Sequence, residues 1–167
     1  MKFLRLYLPL TVGLIVIDQV VKAWARGAAE HVEGRSIFPL WPGVFELKLV
    51  YNHGVAFGLF QGAGVLFAPV AFLIALAATW YSFKKPHEPT VHHVTASLLA
   101  AGALGNLVDR LSMGKVTDMF WIRLIDFPVF NVADVCITVA GSLLVLGGIR
   151  DATTAKHQNA DPQPSGE

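Results

Sequence analysis

Long apolar runs dominate the hydrophobic pattern of this chain. Four of them are long enough to form helices that cross a hydrocarbon core, which requires roughly 20 residues, and they cover residues 4–24, 65–83, 91–111 and 132–149. Between the first two, residues 45–49 alternate apolar and polar side chains with the period of two that indicates a half-buried strand. The pattern predicts an α-helical integral membrane protein with four transmembrane helices and a small extracytoplasmic β-sheet element between helices 1 and 2.

Composition strengthens the membrane interpretation and excludes a nucleic-acid-binding protein. The chain has 167 residues, of which 54% are hydrophobic and only 15% are charged, and its mean hydropathy is +0.53. Its formal net charge of +1 leaves no basic surface for nucleic acid. A single cysteine, Cys136, cannot form an internal disulfide and is expected to be a small buried residue.

The first apolar run has an alternative interpretation as a signal peptide. Lys2 and Arg5 precede its apolar core, and the sequence from Ala23 to Ala25 imitates a small-x-small cleavage site. However, the run exceeds the usual apolar core of about 7 to 15 residues. Asp18 and Lys22 also lie between that core and the cleavage site. A retained transmembrane helix is therefore favoured.

Four spans place both termini on one side of the membrane and the segments 25–64 and 112–131 on the other. The Lys and Arg residues are divided six to seven between the two sides, so their count does not decide orientation. Lys84 and Lys85 lie in a very short connection, where the positive-inside rule applies most strongly, and this places the termini in the cytoplasm. We expect residues 1–150 to form a single domain and residues 151–167, which are polar and contain proline, to form a disordered tail.

Several polar residues interrupt the apolar spans, where ionisable groups usually face a protein interior or a water-filled cavity. Asp18 and Lys22 are spaced i, i+4 in the favourable order, which predicts an ion pair within the first helix. In the third span, the small residues between Ala96 and Gly105 predict close packing against other helices.

The third span ends in a polar group. Asn106 precedes Asp109 and Arg110 by three and four residues, so its side chain can meet either of them. Asp109 and Arg110 are neighbours in sequence and are not expected to pair. An alternative is that this helix end lies at the headgroup level, where Arg110 reaches the interface and Asp109 is hydrated.

Two further carboxylates follow on the same predicted membrane face. Asp134 lies three residues after Asn131, the spacing of a helix cap whose acidic partner reaches back to the capping residue. Asp118 follows the break at Gly114 and lies in an apolar context, although it could be an ordinary loop residue. Because the loop between the third and fourth spans is short, Asp118 and Asp134 can meet at similar depth.

Such a pair has a definite chemistry. Two carboxylates in one partly dry site share a proton, so one can act as a general base on water while the other polarises a scissile carbonyl. A serine or cysteine nucleophile lacks a suitably placed base on this face. The polar residues His87, Glu88, His92 and His93 match no metal-ligand spacing, so we expect a polar turn there, and no metal or cofactor.

Five motifs, in order, resemble those of lipoprotein signal peptidase, the type II signal peptidase of bacteria. They are VIDQVVK (16–22), YNHGVAFG (51–58), GALGNLVDRL (102–111), GKVTDM (114–119) and FNVAD (130–134). Each motif is weak alone, but the ordered set is specific and covers all four spans. The resemblance implies an intramembrane aspartic endopeptidase of the inner membrane, which cleaves diacylglyceryl-modified prolipoproteins just before the lipidated cysteine.

The resemblance also implies roles for individual residues. The catalytic aspartates fall on Asp118 and Asp134. The positions that match substrate-binding or site-supporting residues are Asn52, Gly54, Asn106, Asp109, Arg110, Asn131, Asp18 and Lys22. No cofactor is implied, the partners are the lipid-modified signal peptide and membrane lipid, and a monomer is sufficient because one chain supplies both aspartates.

The chain departs from the family pattern at one position. Many relatives carry a second acid three residues after the first catalytic aspartate, where this chain has Trp121. Asp126 therefore competes with Asp118 for the catalytic role. The sequence around Asp118 matches the family motif, whereas Asp126 is followed closely by Pro128 and is more typical of a loop.

Two other functions remain open from the sequence. A small proton-coupled transporter or channel component would also carry acids within its spans, but would distribute them through the membrane depth. A noncatalytic membrane protein that binds lipoproteins would need the same groove without the pair of aspartates.

Overall fold

The computed structural model describes residues 2–54 and 67–160. The helices are α1 (Leu8–Ala28), α2 (Ala68–Lys84), α3 (Thr90–Met113) and α4 (Val132–Ala160), and the strands are β1 (Ser36–Trp41), β2 (Phe45–Asn52) and β3 (Val116–Ile122). A π-helical turn at Phe3–Tyr7 precedes α1, and a 3₁₀ turn at Arg123–Ile125 follows β3. Gly58, Gly62 and Gly64, whose recurrence predicts a flexible or tightly turned return to the second span, lie outside the described residues.

Each of the four predicted apolar runs contains a helix. By length and composition, three helical stretches of the described residues are long and apolar enough to cross a membrane: Arg5–Ala28, Thr90–Met113 and Val132–Ile149. The fourth helix, α2, is apolar but has 17 residues. The chain is therefore mostly helical, with the character of a membrane protein.

The end of α4 differs from the prediction. The helix continues to Ala160, whereas polar composition suggested disorder from residue 151. Residues 151–160 contain two alanines besides Ala160 and no glycine or proline, so nothing in their sequence terminates a helix. Pro162 is the first residue beyond that point that cannot continue one.

Helix α3 is the centre of the bundle and packs against α1, α2 and α4. The predicted face of small residues is confirmed, since the residues between Ala96 and Gly105 are mostly buried. A Cβ atom at Gly102 would lie 2.5 Å from the Ala133 carbonyl oxygen, and one at Gly105 would lie 2.6 Å from Asp18 Oδ2. These two glycines therefore allow α4 and α1 to approach α3 closely.

The sheet has three antiparallel strands in the order β1, β2, β3. The strand expected at residues 45–49 is confirmed as part of β2, and β1 pairs with it as a hairpin. The third strand corrects the prediction, because β3 comes from the connection between α3 and α4. Gly114, with φ of 72°, ends α3 and turns the chain into β3.

The position of Asp118 follows from this topology. Asp118 lies in the middle of β3, opposite Val50 of β2, and is therefore a strand residue rather than a loop residue. The four residues at the start of β3 are all buried, so the strand lacks the alternating pattern by which half-buried strands are recognised.

Candidate active site

A cavity of about 580 Å³ lies between the sheet and helices α2, α3 and α4. Asp118 and Asp134 both line it, as do Asn52, Asn106 and Arg110. The remaining lining is mainly apolar and comes from α2, from α4 and from the segment before α4, with Val70, Ile74, Phe127, Phe130, Ile137 and Val139 among its members. The two carboxylates therefore face an apolar space that is wide enough for a bulky ligand.

The first turn of α4 has the predicted cap. The Asp134 amide donates to Asn131 Oδ1 at 2.9 Å, and the Asn131 amide donates back to Asp134 Oδ2 at 3.2 Å. These reciprocal bonds satisfy two backbone donors at the helix start. The capping prediction is confirmed, and the cap also fixes the Asp134 carboxylate at the N-terminus of α4.

The same asparagine joins the two carboxylates. Asn131 Nδ2 donates to Asp118 Oδ1 at 2.6 Å while its Oδ1 accepts from the Asp134 amide. Asn131 is fully buried, and the side chain of Asp118 is almost so, because the residue is only 2% exposed. The meeting of Asp118 and Asp134 in one site, which the sequence could only suggest, is therefore present in the structure.

The environment of Asp118 opposes its ionisation. Burial, and next the negative charge of Asp134, raise the pKa of Asp118 to about 8, although hydrogen bonds from Asn131 and Asn52 act in the opposite direction. At neutral pH Asp118 therefore carries the proton, and its hydroxyl is available as a hydrogen-bond donor.

Asn106 connects the pair to the rest of the bundle. Its Nδ2 donates to Asp134 Oδ1 at 2.8 Å, and its Oδ1 accepts from Asn131 Nδ2 at 3.0 Å and from Lys22 Nζ at 2.9 Å. Sequence spacing suggested instead that Asn106 would meet Asp109 or Arg110. That expectation fails, because Asn106 lies on the face of α3 that packs against α1 and α4.

The first helix contributes a buried ion pair. Lys22 Nζ lies 2.9 Å from Asp18 Oδ2, which confirms the predicted pair, and 3.5 Å from Asp109 Oδ2. Asp18 Oδ1 also accepts from the Ala133 amide at 2.9 Å, so a side chain of α1 caps α4. All three charged residues are buried.

The position of Asp109 differs from one of the two expectations for it. A hydrated position at headgroup level was one interpretation, but Asp109 is buried and accepts from the Thr117 amide at 2.8 Å. It therefore holds the start of β3, the strand that carries Asp118. Its neighbour Arg110 points elsewhere and donates to the Gly54 carbonyl at 3.3 Å, while the Gly54 amide donates to Asn52 Oδ1.

Two residues of this network were not predicted. Arg26 donates to Thr117 Oγ1 at 2.8 Å and lies 4.0 Å from Asp109, and Gln19 donates to Asp18 and Asp109. A signal was present, because Asp18, Lys22 and Arg26 repeat every four residues and so form one polar stripe on α1.

Asp126, the competitor of Asp118, lies outside the cavity lining. It is exposed, has a left-handed backbone conformation at the end of the 3₁₀ turn, and accepts from Trp121 Nε1 at 3.3 Å. The four polar residues considered for a metal also lie elsewhere: His92 contacts Glu88 at 3.2 Å, and His93 is buried against Ser82. The described residues contain no group of three or more His, Cys, Asp or Glu placed to hold a metal ion.

Fold and site together define a helical membrane protein with two carboxylates, one buried and one half-buried, at an apolar cavity. Comparison with known proteins agrees with this class. A family model described as signal peptidase (SPase) II matches residues 10–150. The lipoprotein signal peptidase of Gloeobacter violaceus is 40% identical over 136 residues, covering 81% of this chain and 77% of that protein. That of Lactiplantibacillus plantarum is 35% identical over 151 residues, covering 90% and 99%.

Solved structures of bacterial membrane enzymes share the fold of this chain. A bacterial membrane enzyme structure obtained at 2.3 Å by the in meso method superposes with a TM-score of 0.80 and 29% identity, covering 89% of this chain and 90% of that one. A second, at 1.9 Å, has a TM-score of 0.75 and 30% identity, covering 87% and 93%. The chain belongs to the signal peptidase II family.

Proposed function

We propose that Asp118 and Asp134 are the catalytic pair with which this chain cleaves prolipoproteins just before the diacylglyceryl-modified cysteine. Family membership makes the chain an aspartic-type endopeptidase that removes signal peptides from lipoproteins. The observation that carries the assignment of residues is that Asn131 bonds to both carboxylates at one cavity, to that of Asp118 through its side chain and to that of Asp134 through its backbone amide.

The charges around the pair support a single shared proton. The network contains three basic side chains and four carboxylates, namely Lys22, Arg26 and Arg110 with Asp18, Asp109, Asp118 and Asp134. Charges removed from water are tolerated when they are balanced. One proton on the pair makes this network neutral, and the raised pKa of Asp118 assigns it that proton.

The proposed reaction uses the two aspartates in opposite roles. Ionised Asp134 removes a proton from water, and the water oxygen attacks the scissile carbonyl carbon. Protonated Asp118 donates to the carbonyl oxygen, which takes up the developing charge. Collapse of the tetrahedral intermediate returns a proton to Asp118, while Asp134 gives its proton to the departing amide nitrogen. No metal or organic cofactor is required for this sequence.

The other matched residues have supporting roles in this proposal. Asn131 and Asn106 hold the carboxylates, while Asp18, Lys22 and Asp109 anchor the elements that carry them. Asn52 and Arg110 line the cavity, and Gly54 joins them, because its carbonyl accepts from Arg110 and its amide donates to Asn52 Oδ1. In this proposal the three residues shape the wall against which an extended substrate lies.

We place this enzyme in the bacterial inner membrane as a four-span protein, with both termini in the cytoplasm and the site near the outer face. A helix of 17 residues such as α2 extends roughly 26 Å, slightly less than a typical hydrocarbon core. The cavity begins at Phe67 and Val70, at the N-terminal end of α2. A site at the end of a short helix would lie near the boundary between lipid and water, from which both the lipid-modified substrate and the attacking water could reach it. Reporter fusions at the two termini test the orientation, which fails if either is translocated.

The experiment that tests the function compares two substrates. The purified protein in lipid nanodiscs is incubated with a diacylglyceryl-modified prolipoprotein and with the same polypeptide lacking the lipid, and mass spectrometry locates the cleaved bond. We expect cleavage of the modified substrate alone, immediately before its cysteine. Cleavage elsewhere, or of the unmodified chain at an equal rate, contradicts the proposed substrate.

The two rival functions predict other outcomes. A transporter leaves the substrate intact, and a noncatalytic binding protein retains the intact lipoprotein. Against a transporter, the acids Asp109, Asp118 and Asp134, of which the first two are buried and the third is half-buried, gather at one end of the bundle rather than through its depth. One chain supplies both aspartates, so a monomer is sufficient for the proposed activity.

A further inference from the structure

Lys22 is fully buried and is absent from the cavity lining, yet it reaches the residue that holds Asp134. Its Nζ lies 2.9 Å from Asp18 Oδ2 and donates to Asn106 Oδ1 at 2.9 Å. A weaker contact at 3.4 Å joins it to the Gly105 carbonyl. A buried lysine with this set of acceptors is held in one orientation by charge and by hydrogen bonds.

The contact with Asn106 has a consequence for Asp134. An amide side chain presents an acceptor oxygen on one side and two donor hydrogens on the other. Both bonds to Asn106 Oδ1 come from donors, namely Lys22 Nζ and Asn131 Nδ2. With its oxygen held in this way, Asn106 must direct Nδ2 toward Asp134, where it donates at 2.8 Å.

We propose that Lys22 is a positioning residue of the catalytic site, which fixes the orientation of the Asn106 amide so that Asp134 is held as an ionised base. The proposal rests on the catalytic role of Asp134. Without Lys22, only the bond from Asn131 Nδ2 holds Asn106 Oδ1, so the Asn106 amide turns over more readily. Turned over, it places its oxygen against the Asp134 carboxylate, which favours the protonated form of that aspartate. Lys22 thus acts on the reaction through a second residue and without touching the substrate.

A charge-balanced variant separates this role from the removal of a buried cation. Lys22→Met alone leaves Asp18 without its cation, which is strongly destabilising in a buried site. Combining it with Asp18→Asn removes one charge of each sign and keeps an oxygen to accept from the Ala133 amide. Asp109 keeps its bonds from Thr117 and Gln19 and its proximity to Arg26.

The test compares three variants with the parent protein in cleavage of the modified prolipoprotein over a range of pH. Asp18→Asn alone measures the effect of the lost carboxylate, so the step from it to the double variant reports Lys22. Ser97→Ala is the matched control for stability, because Ser97 of α3 is buried, as Lys22 of α1 is, but bonds to the Tyr7 and His93 carbonyls, away from the site.

From Asp18→Asn to the double variant, we expect kcat to fall about 10-fold or more while KM changes by less than about twofold. The acidic limb of the pH profile moves to higher pH, because Asp134 now binds its proton more readily. The other charged groups that interact with Asp134 are Arg110 of α3, Asp118 of β3 and Asp18 of α1, and the last is neutral in both variants compared.

Two results would overturn the proposal. An unchanged kcat and acidic limb in a folded double variant would leave Lys22 a purely structural role, and a raised KM with unchanged kcat would mean that it affects substrate binding. Ser97→Ala must lower the midpoint of thermal unfolding without moving the acidic limb of the pH profile. If Ser97→Ala also moved that limb, lost stability alone would explain the change seen in the double variant. Failure of the parent to cleave would instead refute the proposed function.

Discussion

At the residue scale, the proposed catalytic pair places its two carboxyl groups in surroundings that differ for physical reasons. Asp118 lies on a strand whose first residues are all buried, whereas Asp134 lies at a helix start, where the backbone amides and the helix dipole favour negative charge. Asn131 bonds to both. In the proposed reaction, this difference in environment assigns Asp118 the role of acid and Asp134 that of base.

The raised pKa of Asp118 has a consequence for stability. Its folded value of about 8 exceeds the ordinary value of 3.8, so the folded state binds the proton more tightly than the unfolded state. The group's contribution to stability is complete below the ordinary pKa and is lost as the pH rises toward 8. We therefore expect Asp118→Asn, which cannot ionise, to be more stable than the parent at pH 8.

The measurement is the midpoint of thermal unfolding in detergent at pH 5, 6.5 and 8. A gain of about 2 kcal/mol corresponds to a rise of roughly 4–8 °C for a chain of this size, and the gain should grow from pH 5 to pH 8. Asp126→Asn is the matched control, because Asp126 is exposed. The unfolding midpoint of this variant should depend on pH as that of the parent does. A gain that does not depend on pH would contradict the assignment of the proton to Asp118.

At this scale the sequence predicted some contacts and missed others. The pair formed by Asp18 and Lys22 and the cap formed by Asn131 and Asp134 lie within single helical turns, so their spacing determined them. The contacts of Asn106 join different helices, and spacing within α3 could not reveal them. The motif resemblance named Asn106 without indicating which side chains it would bind.

At the element scale, α3 brings the site together because its small residues admit the neighbouring helices. Gly105 lies against Asp18, the residue that caps α4, so the spacing of α1 and α3 also determines where α4 begins. The sequence predicted this face from its composition. It did not predict β3, because a strand buried on both faces has no alternation to detect.

Gly105→Ala tests the close approach of α1 and α3. The added Cβ would lie 2.6 Å from Asp18 Oδ2, so the carboxylate must shift and its bonds to Lys22 and the Ala133 amide weaken. We expect a loss of about 1–3 kcal/mol in unfolding free energy, and slower cleavage of the modified prolipoprotein. Thermal unfolding and initial cleavage rates measure the two effects.

Gly141→Ala is the matched control for Gly105→Ala. Gly141 lies within α4 and has open space around its Cα, so the same substitution there should be neutral or slightly stabilising, with unchanged activity. Equal destabilisation at both positions would mean that Gly105 does not stabilise the protein by allowing α1 to approach α3.

At the scale of the whole molecule, the cavity extends from the carboxylate pair along the space between α2 and α4. Its lining passes from Asp134 to Thr138, one helical turn further along α4, and faces Val70 and Ile74 of α2. A substrate signal helix that arrives through the lipid would reach the aspartates along this route. Only the assembled bundle defines the route, so the sequence could not indicate the helices between which it lies.

Thr138→Trp tests the route. The larger side chain would fill the space beside Asp134 without disturbing the buried network, so we expect KM for the modified prolipoprotein to rise about 10-fold while the unfolding midpoint stays near that of the parent. Leu146→Trp is the control, because Leu146 is exposed on α4, is two turns further along and does not line the cavity. Equal kinetics for both variants would exclude this space as the route.

The central claim is that Asp118 and Asp134 perform the cleavage. Its most direct test is single-turnover cleavage of the modified prolipoprotein by the parent and by Asp118→Asn, Asp134→Asn and Asp126→Asn, each shown to be folded by thermal unfolding. We predict that Asp126→Asn cleaves at the parental rate and that the other two are slower by about 1000-fold or more. Substantial cleavage by either Asp118→Asn or Asp134→Asn, or loss of cleavage in Asp126→Asn, would contradict the assignment of Asp118 and Asp134 as the catalytic pair.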